Sequence, residues 1–142
     1  MKEMTLMIIK PDSVAAGNVG NILAQLEEAG FEICAMRMLK LIGEAAAGFY
    51  AEHTGKEFFT PLIEFMTSGA VIVAALKREN AVEELRRVIG DTDPAKAEPG
   101  TVRDLYAENK TRNAIHASDS QQSAERELNF FFSRNELILN QF

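Results

Sequence analysis

Cysteine, tryptophan and long apolar runs are scarce in this chain. Among 142 residues there is one cysteine and no tryptophan. The single cysteine, Cys34, excludes an intrachain disulfide and fits a reducing compartment. The apolar run from Met4 to Ile9 is too short for a signal-peptide core. No stretch approaches the ~18 apolar residues of a membrane span. We therefore expect a cytoplasmic protein with no membrane partner.

Basic residues are also in short supply. The chain has 15 lysines and arginines against 21 aspartates and glutamates, a net charge of −6. With this balance nucleic acid is not expected as a partner, and an anionic substrate would need a local cluster of cations. The hydrophobic fraction of 46% and the charged fraction of 25% are ordinary for a globular protein. We expect residues 1–142 to form one domain with a real core.

Hydrophobic periodicity predicts a mixed α and β architecture. Four apolar or β-prone runs are read as strands, at residues 5–9, 31–41, 70–76 and 129–132. Amphipathic helices with capping or terminating signals are expected between them, at residues 19–29, 44–52, 60–68, 80–89 and 120–128. The long connection 91–113 has few apolar anchors, as functional loops often do. The order reduces to βαββαβ, an α/β (α+β) ferredoxin-like sandwich: a four-stranded antiparallel sheet, helices on one face, and extra helices.

One of only two histidines lies in a short run of small and polar residues. His116 belongs to the run 113–119, Asn-Ala-Ile-His-Ala-Ser-Asp. Asp119 and Gln122 have the spacing of a capping box, so we expect a helix to begin just after the imidazole. A helix start favours an anion, and a neutral imidazole is a nucleophile. Together they indicate phosphoryl chemistry, although a histidine without such context is more often an inert loop residue.

Five ordered blocks resemble one enzyme family. The run 113–119 resembles the active-site signature of nucleoside diphosphate kinases. Four other blocks resemble the same family in the right order: residues 8–12, 48–53 with 58–59, 65–69, and 90–94 with 99–103. The resemblance covers about Thr5 to Leu137, and five ordered blocks are more specific than one short motif. It implies a ferredoxin-like fold and ping-pong transfer of a γ-phosphate from a nucleoside triphosphate to a nucleoside diphosphate, through a phosphohistidine on His116.

The resemblance also implies partners for the histidine. Glu127, eleven residues further on, would accept a hydrogen bond from the His116 ring and fix its tautomer and orientation. Ser118 would pack close to the histidine, and Tyr50 would lie near the γ-phosphate. Taken without the resemblance, Glu127 would be read as an exposed helix carboxylate.

The cations and polar groups for the nucleotide follow from the same resemblance. Lys10, Arg86 and Arg103 are assigned to the substrate phosphates, and Thr92 would donate a hydroxyl hydrogen bond to a phosphate. Lys10 and Asn113 resemble the residues that bind the sugar hydroxyls. Each cation alone would more often be a solvated surface charge. The expectation to test is therefore that the three cations converge on one site.

The base end of the site departs from the commonest family pattern. Phe58 resembles the base-stacking aromatic, and one member of the Phe58–Phe59 pair is expected in the core with the other partly exposed. Lys110 stands where the second wall of the base slot is usually apolar. His53 has no counterpart in the signature and is expected at the surface.

Mg²⁺ is expected as a cofactor that arrives with the nucleotide. The sequence has no preformed cage of histidine, cysteine and carboxylate ligands, and Mg²⁺ commonly binds through substrate phosphates, waters and one or two carboxylates. Asp119 is the expected protein carboxylate near the metal, acting through water.

Two rival functions and the assembly complete the expectations. The chain could instead be a non-catalytic nucleotide-binding regulatory module, or an oligomeric scaffold with an incidental histidine. The resemblance implies a homo-oligomer, and the segment 99–101, Pro-Gly-Thr, favours a hexamer over a tetramer. The terminal Phe142 is expected to pack on a neighbouring subunit.

Overall fold

A four-stranded antiparallel sheet forms the centre of the molecule. In this computed structural model residues 2–139 are described, apart from the side chains of 138 and 139, and the expectation for Phe142 lies outside them. The strands are β1 (Lys2–Ile9), β2 (Glu32–Leu39), β3 (Val71–Glu79) and β4 (Ile115–Ala117). They lie in the order β2-β3-β1-β4, and every neighbouring pair is antiparallel. The predicted ferredoxin-like sheet is confirmed.

The fourth strand lies elsewhere than predicted. Residues 129–132 were expected to form it, but most of them belong to helix α7 (Gln121–Phe131). Phe131 of that helix is buried while Phe130 is 41% exposed. A run of four apolar residues fits either element, and periodicity alone cannot separate them. The true strand β4 has only three residues, and it exists because His116 pairs opposite Ile8 of the central strand.

Helices connect the strands and surround them. The other helices are α1 (Pro11–Ala15), α2 (Val19–Glu28), α3 (Gly43–Phe49), α4 (Phe59–Met66), α5 (Ala81–Ile89), α6 (Val102–Tyr106) and α8 (Arg134–Leu139). Single 3₁₀ turns lie at Ala51–His53 and Pro94–Lys96. No helix among residues 2–139 is long and apolar enough to cross a membrane.

Two predicted helix starts are shifted, and a third lacks its predicted capping hydrogen bond. The cap of α7 is Ser120, whose hydroxyl accepts the Ser123 N–H at 3.0 Å, so Asp119 does not cap this helix. Thr60 lies inside α4, which already begins at residue 59. Asn80 precedes α5, but its side-chain amide donates to the Glu83 carboxylate instead of capping the backbone. Capping patterns locate a helix start to within a residue or two.

Both faces of the sheet carry a hydrophobic core, where helices on one face had been expected. Met7 and Ile9 of β1 pack in the core that includes residues of α2 and α5. Leu6 and Ile8 point to the opposite core, which includes residues of α3, α4 and α7. Each fully buried aliphatic side chain contributes about 1.5–3 kcal/mol, so β1, buried on both sides, is the main anchor of the fold.

Candidate active site

The predicted site residues converge on one cavity at the end of β1. It has a volume of about 420 Å³, and all the predicted residues except Ser118 line it. A more open hollow of about 710 Å³ lies beside α4, and of the predicted residues it contains Lys110 alone. Residues from the β1 end, the 113–119 segment, α3, α5, α6 and α7 reach the cavity together. The sheet therefore assembles the site from segments distant in sequence.

His116 and Glu127 form the polar centre of the cavity. The Nε2 atom of His116 lies 2.7 Å from Oε1 of Glu127. The Ser118 hydroxyl donates to the same oxygen at 2.9 Å, which explains why Ser118 lies behind Glu127 and outside the cavity wall. An ionised carboxylate can only accept, so this contact assigns the ring proton to Nε2. The Nδ1 lone pair is then free for attack.

The imidazole is held mainly in its neutral form. Burial lowers the pKa of His116 below its ordinary value, the bond to Glu127 partly opposes this, and the charges of Lys10 and Arg103 lower the pKa further. The side chain remains 18% exposed, so the ring is accessible from the cavity. A neutral and accessible imidazole meets both requirements of a nucleophile near pH 7.

An unusual backbone turn fixes the start of β4. Ala114 has a φ of +74°, and the Ile115 N–H donates to the Asn113 carbonyl at 2.9 Å, as in a classic γ-turn. The Asp12 carboxylate accepts the Ala114 N–H at 3.1 Å, and the Lys10 N–H donates to the Ala114 carbonyl at 2.9 Å. These bonds join the turn to the residues that follow β1, and so set where His116 stands.

Two aromatic rings pack edge-on against the imidazole. The ring centroids of Phe49 and Tyr50 lie 5.2 Å and 5.8 Å from that of His116. The Tyr50 hydroxyl is buried without a hydrogen-bond partner among the described residues, and burial raises its pKa. A buried hydroxyl that lines a cavity and lacks a partner is available to a bound substrate.

Three cations face the same space with different degrees of burial. Lys10 is 6% exposed and donates to Oδ1 of Asn113 at 2.7 Å, and burial together with Arg103 lowers its pKa to about 7. Arg103 donates to the carbonyls of Gly90 and Ile115 at 3.0 and 2.7 Å, and burial lowers its pKa to about 10. Arg86 is exposed. The predicted convergence of these cations is present in the cavity.

The outer end of the cavity is aromatic. Phe58 is 47% exposed, whereas Phe59 packs against the core, as expected for this pair. His53, expected at the surface, is 29% exposed and also lines the cavity. Its ring centroid lies 6.4 Å from that of Tyr50 and 5.1 Å from that of Phe58. Lys110 also lines it. The structure thus adds a second histidine to the wall.

Of the remaining predicted residues, Thr92 and Asp119 lie at the exposed rim of the cavity and Asn113 is buried. The Asn113 amide donates to the Thr92 carbonyl at 3.3 Å, which links the segment before His116 to the loop after α5. Asp119 is exposed, and a hydrogen bond from the Ser123 side chain lowers its pKa. Among residues 2–139 no group of three or more histidine, cysteine or acidic side chains is placed to hold a metal ion.

Arg126 is a cavity residue that the sequence did not indicate. It lines the wall beside Glu127 and donates to the Phe49 carbonyl. Adjacent helix residues point in different directions, so the spacing of Arg126 and Glu127 predicts no shared site. The place of Arg126 in the cavity wall follows from the tertiary structure, which brings the Phe49 carbonyl within reach of its guanidinium.

Comparison with known proteins finds the same likeness over nearly the whole chain. The family model described as "Nucleoside diphosphate kinase" matches residues 3–137. The nucleoside diphosphate kinase of Methanocaldococcus jannaschii is 50% identical over 138 residues, 97% of this chain and 99% of that protein. The one from Histophilus somni is 50% identical over 135 residues, 95% of this chain and 96% of that protein.

Solved structures agree with the sequence comparison. The Aquifex aeolicus nucleoside diphosphate kinase superimposes with a TM-score of 0.93 at 42% identity, covering 96% of this chain and 99% of that one. A halophilic nucleoside diphosphate kinase from Halobacterium salinarum, in complex with CDP, gives 0.92 at 36% identity, with 96% and 91% covered. The likeness extends over nearly all of each fold.

Proposed function

The chain belongs to the nucleoside diphosphate kinase family, and from this we propose that His116 is the residue that carries the phosphate. The enzyme transfers the γ-phosphate of a nucleoside triphosphate to a nucleoside diphosphate by a ping-pong route. The observation that supports His116 is its 2.7 Å contact with Glu127 inside a cavity lined by cations. No other imidazole in the cavity has a buried carboxylate as its partner, since His53 contacts the exposed Glu52 and Lys56.

The covalent bonds that form and break in the chemical step involve the nucleotide and His116. Nδ1 of His116 attacks the γ-phosphorus, the bond from that phosphorus to the bridging oxygen breaks, and the nucleoside diphosphate leaves. A β-phosphate oxygen of the second nucleotide then attacks the same phosphorus, and the P–N bond breaks. Positive charge develops on the ring as the P–N bond forms, and Glu127 at Nε2 stabilises it.

The cations position the phosphates and neutralise their charge. Lys10, Arg86 and Arg103 surround the cavity, and one close pair at about 4 Å contributes on the order of 4 kcal/mol at an effective dielectric near 20. The unpartnered Tyr50 hydroxyl would donate to a phosphate oxygen and thereby satisfy its own buried proton. Thr92 would add a further hydroxyl donor at the rim. Phosphoryl transfer depends mostly on this positioning and charge neutralisation.

The nucleoside extends toward the outer, aromatic end. Phe58 would stack on the base, while Lys10 and Asn113, already hydrogen-bonded to each other, would bind the sugar hydroxyls. The complex of the Halobacterium salinarum relative with CDP supports this use of the cavity. Stacking without contacts to the base edge accepts any base, so we expect little base discrimination.

Mg²⁺ fits the donor set only as an ion shared with the substrate. The rim offers the exposed, ionised Asp119 and no cluster of ligands among residues 2–139. Asp119, through water, and the nucleotide phosphates would hold the ion, whose charge would offset that of the phosphoryl oxygens.

Labelling with γ-³²P-ATP and Mg²⁺ tests the central proposal. The protein should form a phosphoenzyme that survives alkali, is lost in acid and discharges when a diphosphate is added. His116→Asn should abolish labelling while nucleotide binding remains, because the cations are unchanged. His53→Asn serves as the matched control and should still become labelled. Labelling of the His116→Asn variant would place the nucleophile elsewhere, and a wild type that binds ATP without labelling would indicate a regulatory module.

Nucleotide preference gives a separate test of the outer end. Transfer to ADP, GDP and CDP should differ little, and 2′,3′-dideoxy-GDP should react poorly because it offers no hydroxyl to Lys10 and Asn113. A strong preference for one base, or full activity with the dideoxy nucleotide, would contradict the assignment of Phe58, Lys10 and Asn113.

A homo-oligomer and a cytoplasmic location complete the proposal. Strand β2 lies at the edge of the sheet, where Met36 and Met38 are 48% and 63% exposed. Apolar side chains on an edge strand favour pairing with a second copy. The intact segment 99–101 favours a hexamer over a tetramer. Light scattering at micromolar concentration should give an oligomeric mass; a monomer would refute this part. The free, buried Cys34 fits a reducing cytoplasm.

A further inference from the structure

Arg126 forms part of the wall behind the catalytic histidine. Its guanidinium Nη1 and Nη2 each lie 3.4 Å from the Phe49 carbonyl, and Cζ lies 5.9 Å from the centroid of the Phe49 ring. The same ring packs 5.2 Å from the imidazole of His116. Arg126 is therefore anchored to one of the groups that contact the imidazole.

Glu127 also contacts the imidazole, and Arg126 faces the carboxylate oxygen of Glu127 that His116 does not contact. Oε1 of Glu127 serves both His116 and Ser118, whereas Oε2 lies 3.7 Å from Nη2 of Arg126. That distance is too long for a hydrogen bond but within the limit of about 4 Å for an ion pair. The carboxylate is almost fully buried, and a buried charge requires compensation. Arg126 supplies it on the side away from the imidazole.

Resting on the function proposed above, we propose that Arg126 is a positioning residue, which holds the Glu127 carboxylate in place and limits the pull of its negative charge on the proton of the His116 ring. Without the guanidinium, the negative potential of Glu127 at the imidazole would be larger. The Glu127–His116 pair would then bind an extra proton more readily. A doubly protonated imidazole has no lone pair with which to attack the phosphorus.

The other charges around the pair cannot replace Arg126. Lys10 and Arg103 act on His116 from the phosphate side, and both will be engaged by substrate. Burial, and after it the negative charge of Glu127, raise the pKa of Tyr50, so its hydroxyl stays neutral and supplies no charge. Arg126 is the cation paired with the outer oxygen of Glu127 in the described residues. Because its side chain is 45% exposed, water screens its charge and the expected effect is moderate.

The test is the pH dependence of phosphoenzyme formation in single turnovers with γ-³²P-ATP. Arg126→Met keeps the aliphatic stem and removes the charge. The acidic limb of its rate profile should move to higher pH by about 0.5–1 pH unit, a loss of about three- to tenfold at a fixed pH on that limb. The plateau at higher pH should change little. Arg126→Lys restores the charge and should bring the profile back toward wild type.

Arg78 offers a matched control. Its guanidinium also lies over an aromatic ring (Phe31), contacts a carbonyl (Ala29) and faces a glutamate (Glu84), but it does not line the cavity. Arg78→Met should leave the pH profile of wild type unchanged. A thermal melt of each variant separates loss of folding from loss of positioning.

An NMR titration of the His116 ring in the free protein gives an independent readout. Its midpoint should rise in Arg126→Met and, if that variant folds poorly, in Arg126→Gln. Superimposable profiles and titrations for wild type and the uncharged variants would overturn the proposal, as would an Arg126→Lys variant that behaves like Arg126→Met. A wild type that never becomes labelled would refute the phosphohistidine itself, whereas the NMR midpoint would still report on Arg126.

Discussion

Replacing the buried Lys10 with methionine should stabilise the free protein while removing its function. Lys10 is 6% exposed, and burial followed by the charge of Arg103 lowers its pKa from 10.5 to about 7. At about 1.4 kcal/mol per pH unit, keeping this ammonium charged in the folded protein costs on the order of 5 kcal/mol below pH 7. Methionine has no charge to bury.

The substitution also removes a hydrogen bond, and this loss offsets part of the gain in the free energy of unfolding. Oδ1 of Asn113 loses the donor that lies 2.7 Å away, at a cost of about 1–3 kcal/mol. At pH 6 the variant should therefore be more stable than wild type by about 2–4 kcal/mol. Binding of the substrate phosphates should fall sharply, because the cation is absent. Stability and function are thus opposed at this position.

The stability difference between Lys10→Met and wild type should depend on pH. Since the folded pKa lies below the unfolded one, the destabilisation is complete below pH 7 and is relieved as pH rises from 7 toward 10.5. By pH 9 wild-type Lys10 is neutral in the folded protein, and about 3 kcal/mol of the cost is gone. The advantage of the variant should fall to within about 1 kcal/mol of zero.

Urea unfolding at pH 6 and pH 9, at one protomer concentration, measures the difference. The exposed Lys40→Met is the control, and its difference from wild type should be the same at both pH values. An advantage of Lys10→Met that does not change between pH 6 and pH 9 would show that Lys10 is not held with a depressed pKa. A variant less stable than wild type at pH 6 would refute the desolvation argument outright.

Three further predictions concern other parts of the molecule. Gly90→Ala should lower the free energy of unfolding by about 2–4 kcal/mol, because φ is +90° and the new Cβ would clash with Oγ1 of Thr101. Gly100 has a similar φ of +86° but open space around it, so Gly100→Ala should lower the free energy of unfolding by only about 1–2 kcal/mol. Equal losses in the two variants would exclude the clash. Phe58→Ala should weaken binding of all nucleotides by about 1–3 kcal/mol with kcat little changed, as steady-state kinetics would reveal; an effect on one base alone would argue against simple stacking. Glu127→Gln should slow phosphoenzyme formation by about 10²-fold, and a loss as complete as that caused by removing the histidine would mean more than an orienting role.

Local patterns in the sequence report which side chains are buried, but they do not report their partners. Strand β1 was predicted correctly because a strand buried on both faces is a continuous apolar run. Helices α2 and α5 were predicted correctly because a helix buried along one stripe has apolar residues at helical spacing. The short strand β4 left no such record, since its three residues are held by pairing with β1, about a hundred positions earlier. The same limit explains the misplaced strand at residues 129–132.

The features of the site, too, were in part indicated by the sequence and in part decided by the tertiary structure. The sequence by itself determined which residue types were available, and its likeness to a family indicated the histidine, the glutamate and the cations. Only the tertiary structure decided that Lys10 is buried against Asn113, that His53 lines the cavity, and that Arg126 meets Glu127 and Phe49. The reason is physical: burial and charge pairing depend on distances between segments far apart along the chain, and these distances exist only once the sheet and its helices have packed.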